Sequence, residues 1–217
     1  MKSINIFFKR IQPLNEKPIR KGRYLLYWMQ QSQRAEENHA LAYAVEVADS
    51  RKLPVLVVFG LMDKYPEANL RHYSFMLQGL KETMDNLKEI GIRMIILRRH
   101  PVEAALSLIR NAAMIVTDKG YLRHQLDWRK KVAQKATCRM VSVESDVIVP
   151  VETVSDKHEY AARTIRPKIH KQLKNFLVDF KQPIPARDCP KIDTVEGLEF
   201  KDKDRSEERR VGKECAT

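Results

Sequence analysis

Two short stretches of this sequence combine aromatic, charged and amide side chains in a way that suits the binding of a planar ligand. Their candidate contacts are Trp28, Met29, Arg34 and Asn38 in the first stretch, and Asp118, Lys119, Tyr121 and Arg123 in the second. Trp28 or Tyr121 could stack on an aromatic ring system, and the charged groups could orient its polar edge. The alternative is that Asp118 caps the next helix and Arg34 pairs with an acidic side chain. The sequence alone leaves both interpretations open.

The rest of the chain has no motif that is typical of catalysis or metal binding. No Ser/His/Asp order or paired carboxylate motif stands out, so we assign no catalytic residue. The three cysteines, Cys138, Cys189 and Cys215, lack metal-ligand spacing and fit a reducing compartment. Residues 28–34 contain no glycine, which disfavours the fingerprint of a nicotinamide dinucleotide site. Any difficult chemistry would therefore belong to a cofactor.

The two stretches lie at the ends of strands in a regular alternation of predicted strands and helices. The apolar runs that predict strands are residues 24–28, 54–59, 93–97, 114–117 and 139–143. Helical patterns separate them, and the first helix is expected to begin near Glu36. Such units are joined by right-handed crossovers, so the pattern predicts an α/β fold with a five-stranded parallel sheet of order 3-2-1-4-5 and helices on both faces.

The predicted strand order brings the two candidate stretches together. The first and fourth strands are neighbours in this order, and ligands of open parallel sheets bind at the carboxyl ends of strands where successive crossovers go to opposite faces. We therefore expect a ligand between residues 28–38 and residues 118–123. We call this gap the predicted crevice, and we expect it to be the only small-molecule site of the chain.

The positive charge of the chain is concentrated outside the predicted sheet. The formal net charge is +12, and residues 1–23 contribute seven basic residues and one acidic residue. Residues 157–181 contribute seven basic and two acidic residues. A basic excess of this kind favours a polyanionic partner, although a solvated basic face without a partner is about as common.

The pattern changes after residue 147 to an extended piece and then a basic helix. Asp156 is a candidate cap for this helix, and Pro167 predicts a kink or a break near Arg166. Three prolines between residues 183 and 190 give the following stretch the composition of a linker. The predicted division of the chain is a basic arm at 1–22, an α/β domain at 23–150, a basic helix and linker at 151–204, and a tail at 205–217.

The composition gives no sign of a membrane protein. No apolar run approaches the roughly 20 residues that span a bilayer, and the first twelve residues lack the features of a signal peptide. We expect a cytoplasmic, monomeric protein without membrane contact.

Several segments carry a resemblance to a known family. They are YWMQQSQRAEENHAL at 27–41, PVLVVFGLMDKYPEANLRHYSFMLQGL at 54–80, VTDKGYLRHQLDW at 116–128 and VESDVIVPVETVSDKHEYAARTIRPKI at 143–169. In this order they resemble the class II deoxyribodipyrimidine (CPD) photolyases, most specifically through NLRHY, the TD strand end and EYAARTIRPK. The stretch after the first strand departs from the more widespread family wording, which has an Arg-Asp pair and a Trp after the Asn. Gln31, Ser32 and His39 stand there instead.

The resemblance implies a light-driven DNA repair enzyme that splits cyclobutane pyrimidine dimers in UV-damaged DNA with reduced FAD. In many members the α/β domain holds an antenna chromophore, a deazaflavin or a folate, so the eight candidate contacts are expected to bind it. FAD binds in a larger helical domain that would follow this chain, so the fragment alone is expected to be inactive. Residues expected to contact that domain, or phosphate, are Tyr160, Arg163, Arg166 and Lys168.

Alternative functions remain open from the sequence. A photoreceptor of the cryptochrome type would share the α/β domain, but EYAARTIRPK favours photolyase. A stand-alone nucleotide-binding α/β module would need a phosphate loop, which we do not find. The last residues, RSEERRVGKEC at 205–215, resemble the conceptual translation of a sequencing-library adapter, and the alternative is a charged natural tail.

Overall fold

The computed structural model describes residues 8–190 and 197–198, and the predicted tail at 205–217 lies outside this part. The strands are β1 (Ile11–Pro13), β2 (Tyr24–Trp28), β3 (Val55–Gly60), β4 (Arg93–Leu97), β5 (Ala112–Asp118) and β6 (Arg139–Val143). The helices are α1 (His39–Ser50), α2 (Leu70–Glu89), α3 (Pro101–Leu108), α4 (Arg123–Lys135), α5 (Val151–Val154) and α6 (Ala162–Phe176), with a short 3₁₀ helix at Ile109–Asn111.

The strands form one sheet of order β1-β6-β5-β2-β3-β4. Its five parallel strands, from β4 to β6, reproduce the predicted order 3-2-1-4-5, so the predicted α/β fold is confirmed. The predicted count of five strands was wrong by one, because β1 pairs antiparallel with β6 in the register Ile11 to Val143. A three-residue strand inside a basic segment has no alternating apolar pattern, so no local pattern predicts it.

The central strand β2 is buried on both faces of the sheet. Leu25, Tyr27 and Met29 pack with α1 and α2 on one face. Leu26 and Trp28 pack with α3 and α4 on the other. This alternation is the normal result of the two-residue period of a strand, and helices cover both faces as in other parallel sheets.

The first helix begins later than the sequence expectation. It starts at His39 rather than near Glu36, because Asn38 serves as the N-cap and its Oδ1 accepts a hydrogen bond from the backbone N–H of Leu41 at 3.0 Å. Asn is among the preferred N-cap residues. The longer loop this leaves after β2 is the segment that shapes the candidate site.

The basic helix α6 runs without interruption from Ala162 to Phe176 and contains Pro167. The break expected near Arg166 is therefore absent. Asp156 does not cap this helix, since the N-cap position is Ala161. Pro167 lies in the second turn, where it removes a single hydrogen bond, the one to the carbonyl of Arg163, and the rest of the helix compensates for this loss.

The linker predicted from its prolines lies along α1 and the edge strand β4. Its hydrogen bonds join Asn38 N–H to Gln182 Oε1, Ala186 N–H to Asp49 Oδ1, Cys189 N–H to the Gly91 carbonyl and Leu198 N–H to the Ile96 carbonyl, at 2.8–3.0 Å. Covering an edge strand in this way protects its unpaired backbone groups.

The described residues include neither a helix suited to crossing a membrane nor a cluster suited to binding a metal ion. None of the helices at residues 8–190 is both long and apolar enough to cross a membrane. The same part of the chain holds no cluster of three His, Cys, Asp or Glu side chains that is arranged to bind a metal ion.

Candidate functional site

Asp118, the last residue of β5, is a fully buried carboxylate that joins three segments of the chain. Its Oδ2 atom accepts hydrogen bonds from the backbone N–H groups of Gln30, Gln31 and Ser32 at 2.9, 2.7 and 2.9 Å. Its Oδ1 atom accepts a hydrogen bond from Nη2 of Arg129 at 2.7 Å. Burial of an ion pair is tolerated when its charges are matched and hydrogen-bonded in this way. Asp118 therefore fixes the loop after β2 against the end of β5.

Asp118 does not cap α4, so the alternative interpretation of this residue was wrong. The side chain of Gln125 reaches back instead, and its Oε1 accepts hydrogen bonds from the backbone N–H groups of Tyr121 and Leu122, both at 3.2 Å. Nε2 of Gln125 donates to Oε1 of Gln31 at 2.7 Å. These bonds, together with those of Asp118, fill the space between the two loops of the predicted crevice.

Three predicted ligand contacts in the first loop are buried in the fold. Trp28 is fully buried beside the guanidinium of Arg129, which lies 5.7 Å from its ring centroid. Met29 is fully buried in the core on the opposite face of the sheet. Asn38 donates from Nδ2 to the carbonyls of Ser32 and Arg34 at 3.0 and 2.9 Å. These side chains shape the loop and are not on its surface.

Arg34 forms an ion pair with an acidic side chain, as the alternative interpretation of the sequence predicted. Its Nη1 lies 2.9 Å from Oδ1 of Asp146, and its Nη2 donates to the carbonyl of Ser145 at 2.9 Å. Oγ of Ser32 donates to the same Asp146 carboxylate at 2.8 Å. The guanidinium therefore ties the loop after β2 to the segment after β6.

The remaining predicted contacts lie on the side of β6 and α5. Lys119 forms an ion pair with Glu152 and lies 3.8 Å from Glu144. The hydroxyl of Tyr121 donates to Oε1 of the buried Glu144 at 2.6 Å. Burial and this hydrogen bond raise the pKa of Tyr121 well above its usual value. Arg123 is exposed at the first position of α4. None of the eight candidates lines the cavity that opens beside the loop after β2.

The four residues predicted to contact a second domain or phosphate differ in their surroundings. Tyr160 is 91% exposed and precedes α6, whereas Arg163 and Arg166 lie on the exposed side of α6. Lys168 is paired, with its Nζ 2.5 Å from Oε1 of Glu159 and 3.0 Å from Oγ of Ser155. Lys168 thus holds the segment before α6 against the helix.

A cavity of about 250 Å³ opens on the other side of the loop after β2, toward β3. It lies between this loop, the end of β3, the first turns of α2 and the side of α4. We call it the glutamine cavity. Its lining residues are Gln30, Gln31, Gln33, Phe59, Gly60, Leu61, Met62, Tyr65, Ala68, His72, Tyr73, Met76, Gln125 and Trp128. It lies at the carboxyl edge of the sheet, where parallel sheets bind ligands.

The polar groups of the glutamine cavity are mainly amides. The Gln30 side chain is used by the fold, because it bridges the backbone of Gly60 with bonds of 3.0 and 3.1 Å. Oε1 of Gln31 accepts from Gln125, which leaves Nε2 of Gln31 available as a donor. The side chain of Gln33 also faces the cavity. No Asp, Glu, Lys or Arg side chain lines it. It therefore suits an uncharged ring edge that carries both donors and acceptors.

Hydrogen bonds fix the aromatic wall of the glutamine cavity. The hydroxyl of Tyr65 lies 2.8 Å from Nε2 of His124, and the His124 ring meets the edge of Trp128 at 4.9 Å between centroids. The hydroxyl of Tyr73 donates to the Met62 carbonyl at 2.7 Å. Aromatic side chains that are held in this way form a wall which needs little rearrangement when a ring stacks on it.

His39 connects the loop after β2 to the linker. Its ring stacks on Phe180, with 4.4 Å between centroids and an interplanar angle of 28°. Burial, with smaller effects of the nearby charges of Arg10 and Arg34, lowers the pKa of His39 to about 4. The imidazole is therefore neutral at pH 7.

Comparison with known sequences decides the family. The sequence profile described as DNA photolyase matches residues 25–190, which is more than half of the chain. The chain belongs to the DNA photolyase family. A deoxyribodipyrimidine photo-lyase of Methanothermobacter thermautotrophicus is 46% identical over 198 residues, which is 91% of this chain and 44% of that protein. One of Potorous tridactylus is 39% identical over 160 residues, covering 71% and 30%. The chain spans less than half the length of these curated relatives.

Solved photolyases share the fold. An archaeal photolyase from Sulfolobus tokodaii superposes with a TM-score of 0.58 at 17% identity, covering 75% of this chain and 37% of that one. A class III photolyase from Agrobacterium tumefaciens gives 0.59 at 19% identity, with coverages of 79% and 36%. The common part is the α/β domain of photolyases.

In this photolyase-family chain, sequence reasoning pointed to the carboxyl edge of the sheet, where the glutamine cavity lies, but none of the eight candidates that it named lines this cavity. Gln31 and Gln33 fall inside the predicted segment 28–38 but were not named as contacts, and Tyr65, Gln125 and Trp128 lie outside both predicted segments. One signal was present, since three glutamines follow the central strand within four positions, at Gln30, Gln31 and Gln33. Their spacing could not show on which side of the loop they would open a cavity, because Asp118 sets the path of that loop from a distant part of the chain.

Proposed function

We propose that this chain is the light-harvesting α/β half of a class II deoxyribodipyrimidine photolyase, and that the glutamine cavity binds its antenna chromophore. The observation that carries this proposal is a preformed cavity at the carboxyl edge of the sheet with an aromatic wall and amide groups. Such a combination of apolar area and few polar groups is typical of sites for planar organic ligands.

The volume of the cavity supports a ring system with an exposed tail. Pockets for drug-sized ligands occupy roughly 300–1,000 Å³. The glutamine cavity, at about 250 Å³, is slightly smaller. A fused ring system could enter while its polar chain stays outside. Burial of the ring would contribute about 25 cal/mol per Å² of apolar area, and stacking on Trp128 or Tyr65 would add to it.

The amides of the cavity fit the two antenna classes considered from the sequence. A deazaflavin and the pterin of a folate both carry neighbouring carbonyl and N–H groups on a planar ring. Nε2 of Gln31 could donate to such a carbonyl, and the Gln33 amide could either donate or accept. The lining offers no charged partner for an anionic tail, so the tail of either compound would point to solvent.

We propose that the repair chemistry belongs to the part of the relatives that this chain does not match. We propose that in the whole protein reduced FAD transfers an electron to a cyclobutane pyrimidine dimer in UV-damaged DNA and receives it back after the ring opens. The Sulfolobus tokodaii photolyase is described with two FAD molecules and with the implication of a novel light-harvesting cofactor, which supports the proposal of a second chromophore in this fold. We further propose that the protein is monomeric and cytoplasmic.

Ligand titration tests the antenna site. A deazaflavin and a reduced folate are titrated separately against the chain, and binding is followed by ligand fluorescence. We expect one of them to bind, and Gln31→Leu, which removes an amide donor, and Tyr65→Ala, which removes a stacking ring, to raise its Kd about tenfold each, in line with the loss of one good contact. Tyr121→Phe and Arg123→Ala are matched controls from the predicted crevice and should leave Kd unchanged.

The controls also decide where the ligand binds. If the crevice variants weaken binding and the cavity variants do not, the chromophore lies in the predicted crevice. If neither compound binds at millimolar concentration, the antenna proposal for this chain is wrong.

A further inference from the structure

The helix α6 carries a continuous row of basic side chains on one face. Arg163, Arg166, His170 and Lys174 follow each other at spacings of three or four residues, which places them on the same side of a helix. Lys171 lies next to this row, and all five residues are exposed. The helix contains no Asp or Glu. We call these five residues the basic face of α6.

A second side of α6, beside the basic face, is apolar and partly covered. Ile165, Ile169 and Leu173 are partly buried, and Phe176 is buried with 5% of its surface exposed. The guanidinium of Arg10 lies 5.6 Å from the centroid of the Phe176 ring. The apolar side of the helix is therefore already covered in part by this chain, and the side directed to solvent is the basic one.

The charges of the basic face are not neutralised within the described part of the chain. Lys168, outside this face, is the cation of α6 that forms an ion pair there, with Glu159. Arg163, Arg166, Lys171 and Lys174 have no carboxylate within salt-bridge distance among residues 8–190. Like charges at helical spacing repel each other, so an external polyanion would relieve an unfavourable interaction as well as form new ones.

We propose that the basic face of α6 binds the phosphate backbone of duplex DNA, whether or not the DNA is damaged. The distance from Arg163 to Lys174 along the helix is about 16 Å at 1.5 Å per residue. This length matches roughly five phosphates of one DNA strand at 3.4 Å of duplex axis each. Cations on a helix that contact phosphates position a protein on DNA without reading the sequence.

Charge favours DNA over a second protein domain as the occupant of this face. A docked protein domain would bury the side chains of the basic face, and charged residues are depleted in the buried cores of protein interfaces. A DNA backbone instead leaves the cations partly hydrated and gains from the release of its condensed counterions. The proposal is independent of the antenna site, because α6 contributes no residue to the glutamine cavity.

DNA binding by the full 217-residue chain tests the proposal. A fluorescein-labelled 20-base-pair duplex without damage is titrated with the chain at several salt concentrations, and anisotropy is recorded. The test variant is Arg163→Gln/Arg166→Gln/Lys174→Gln, and Lys130→Gln/Lys131→Gln/Lys135→Gln on α4 is the matched control with the same loss of charge. Gln has nearly the helix propensity of Lys and Arg, so both helices should persist, which circular dichroism checks.

The expected result is a selective loss in the α6 variant. Each phosphate contact contributes about 0.9 to the slope of log K against log salt, so the magnitude of the slope should fall by about 2 to 3. Binding at low salt should weaken at least tenfold, and the α4 control should change less than threefold. A duplex with one thymine dimer should give the same values, and Gln31→Leu should leave DNA binding intact.

Three outcomes overturn the proposal. Equal losses in the α6 and α4 variants would show that only the overall charge matters. No binding of the wild-type chain at 50 mM salt would show that the basic face is not a DNA site. A slope that stays the same in the α6 variant would place the phosphate contacts elsewhere on the chain.

Discussion

The carboxylate of Asp118, at the end of β5, accepts a hydrogen bond from the backbone N–H of Gln31 at 2.7 Å. The two residues are 87 positions apart in the sequence. This bond, with its neighbours at Gln30 and Ser32, fixes the backbone of the loop after β2 against the end of β5. The glutamine side chains line a cavity beside β3, and the predicted crevice between β2 and β5 is filled by the protein itself.

Replacing Asp118 should strongly destabilise the fold. In Asp118→Ala the guanidinium of Arg129 would remain buried without its partner, and three backbone N–H groups would lose their acceptor. Removing one partner of a buried ion pair costs about 3–5 kcal/mol. Urea denaturation should show a fall in the free energy of unfolding of this size.

A matched control for Asp118 is available on the surface of α4. Asp127 pairs with Lys131 at 2.6 Å, and both side chains are more than half exposed. Such an exposed pair within a helix contributes about 0.3–0.5 kcal/mol, so Asp127→Ala should have little effect. Similar losses in the two variants would mean that Asp118 has no special structural role.

Acid should weaken the fold through His39. Its pKa is lowered to about 4, whereas the unfolded chain has the ordinary value near 6.5. Between these two values the unfolded state binds more protons, so the free energy of unfolding decreases as the pH falls from about 6.5 to about 4. This contribution is complete above pH 6.5 and amounts to at most about 3 kcal/mol.

Substitution of His39 isolates this effect. His39→Phe keeps a ring to stack on Phe180 and removes the titrating group, so its stability should depend less on pH in that range. The exposed His158 provides the control, and His158→Phe should keep the wild-type pH dependence. Urea denaturation at pH 7 and pH 4.5 measures all three proteins. The same pH dependence in His39→Phe and the wild type would refute the role of His39.

Two glycines should respond in opposite ways to alanine. A Cβ at Gly60 would lie 2.5 Å from the backbone Cα of Pro101, so Gly60→Ala would force α3 away from the end of β3. We expect a loss of about 1–3 kcal/mol, as for other overpacked sites. A Cβ at Gly79, in the exposed middle of α2, would meet no atom within 4 Å. Gly79→Ala should therefore stabilise the protein by about 1 kcal/mol through helix propensity.

Thermal and urea unfolding of the two alanine variants measure these effects. If Gly60→Ala were neutral, the contact between α3 and β3 would have to be more adaptable than the 2.5 Å approach indicates. The antenna titration would then show whether the cavity, which Gly60 also lines, had changed its shape.

The sequence by itself determined the parallel sheet and its order. Apolar runs such as 54–59 and 93–97 are local signals, because burial on both faces leaves a strand without polar positions. Helices between them favour right-handed crossovers, and a doubly wound sheet with the first strand at its centre predicts β3 and β5 as the neighbours of β2. The resemblance carried by NLRHY and EYAARTIRPK likewise predicted the family that the profile match confirms.

The tertiary structure decided the features that depend on partners far apart in the chain. β1 forms because it pairs with the otherwise unpaired edge of β6. The Asp118 carboxylate is buried because three backbone N–H groups and Arg129 donate hydrogen bonds to it. The cavity likewise needs Gln31 and Gln125, which are 94 positions apart. Periodicity in a sequence reports which side of an element is buried. It does not report which distant polar group forms hydrogen bonds with a buried charge. Here the hydrogen bonds of Asp118 determine the position of the loop after β2, and the glutamine cavity lies beside that loop.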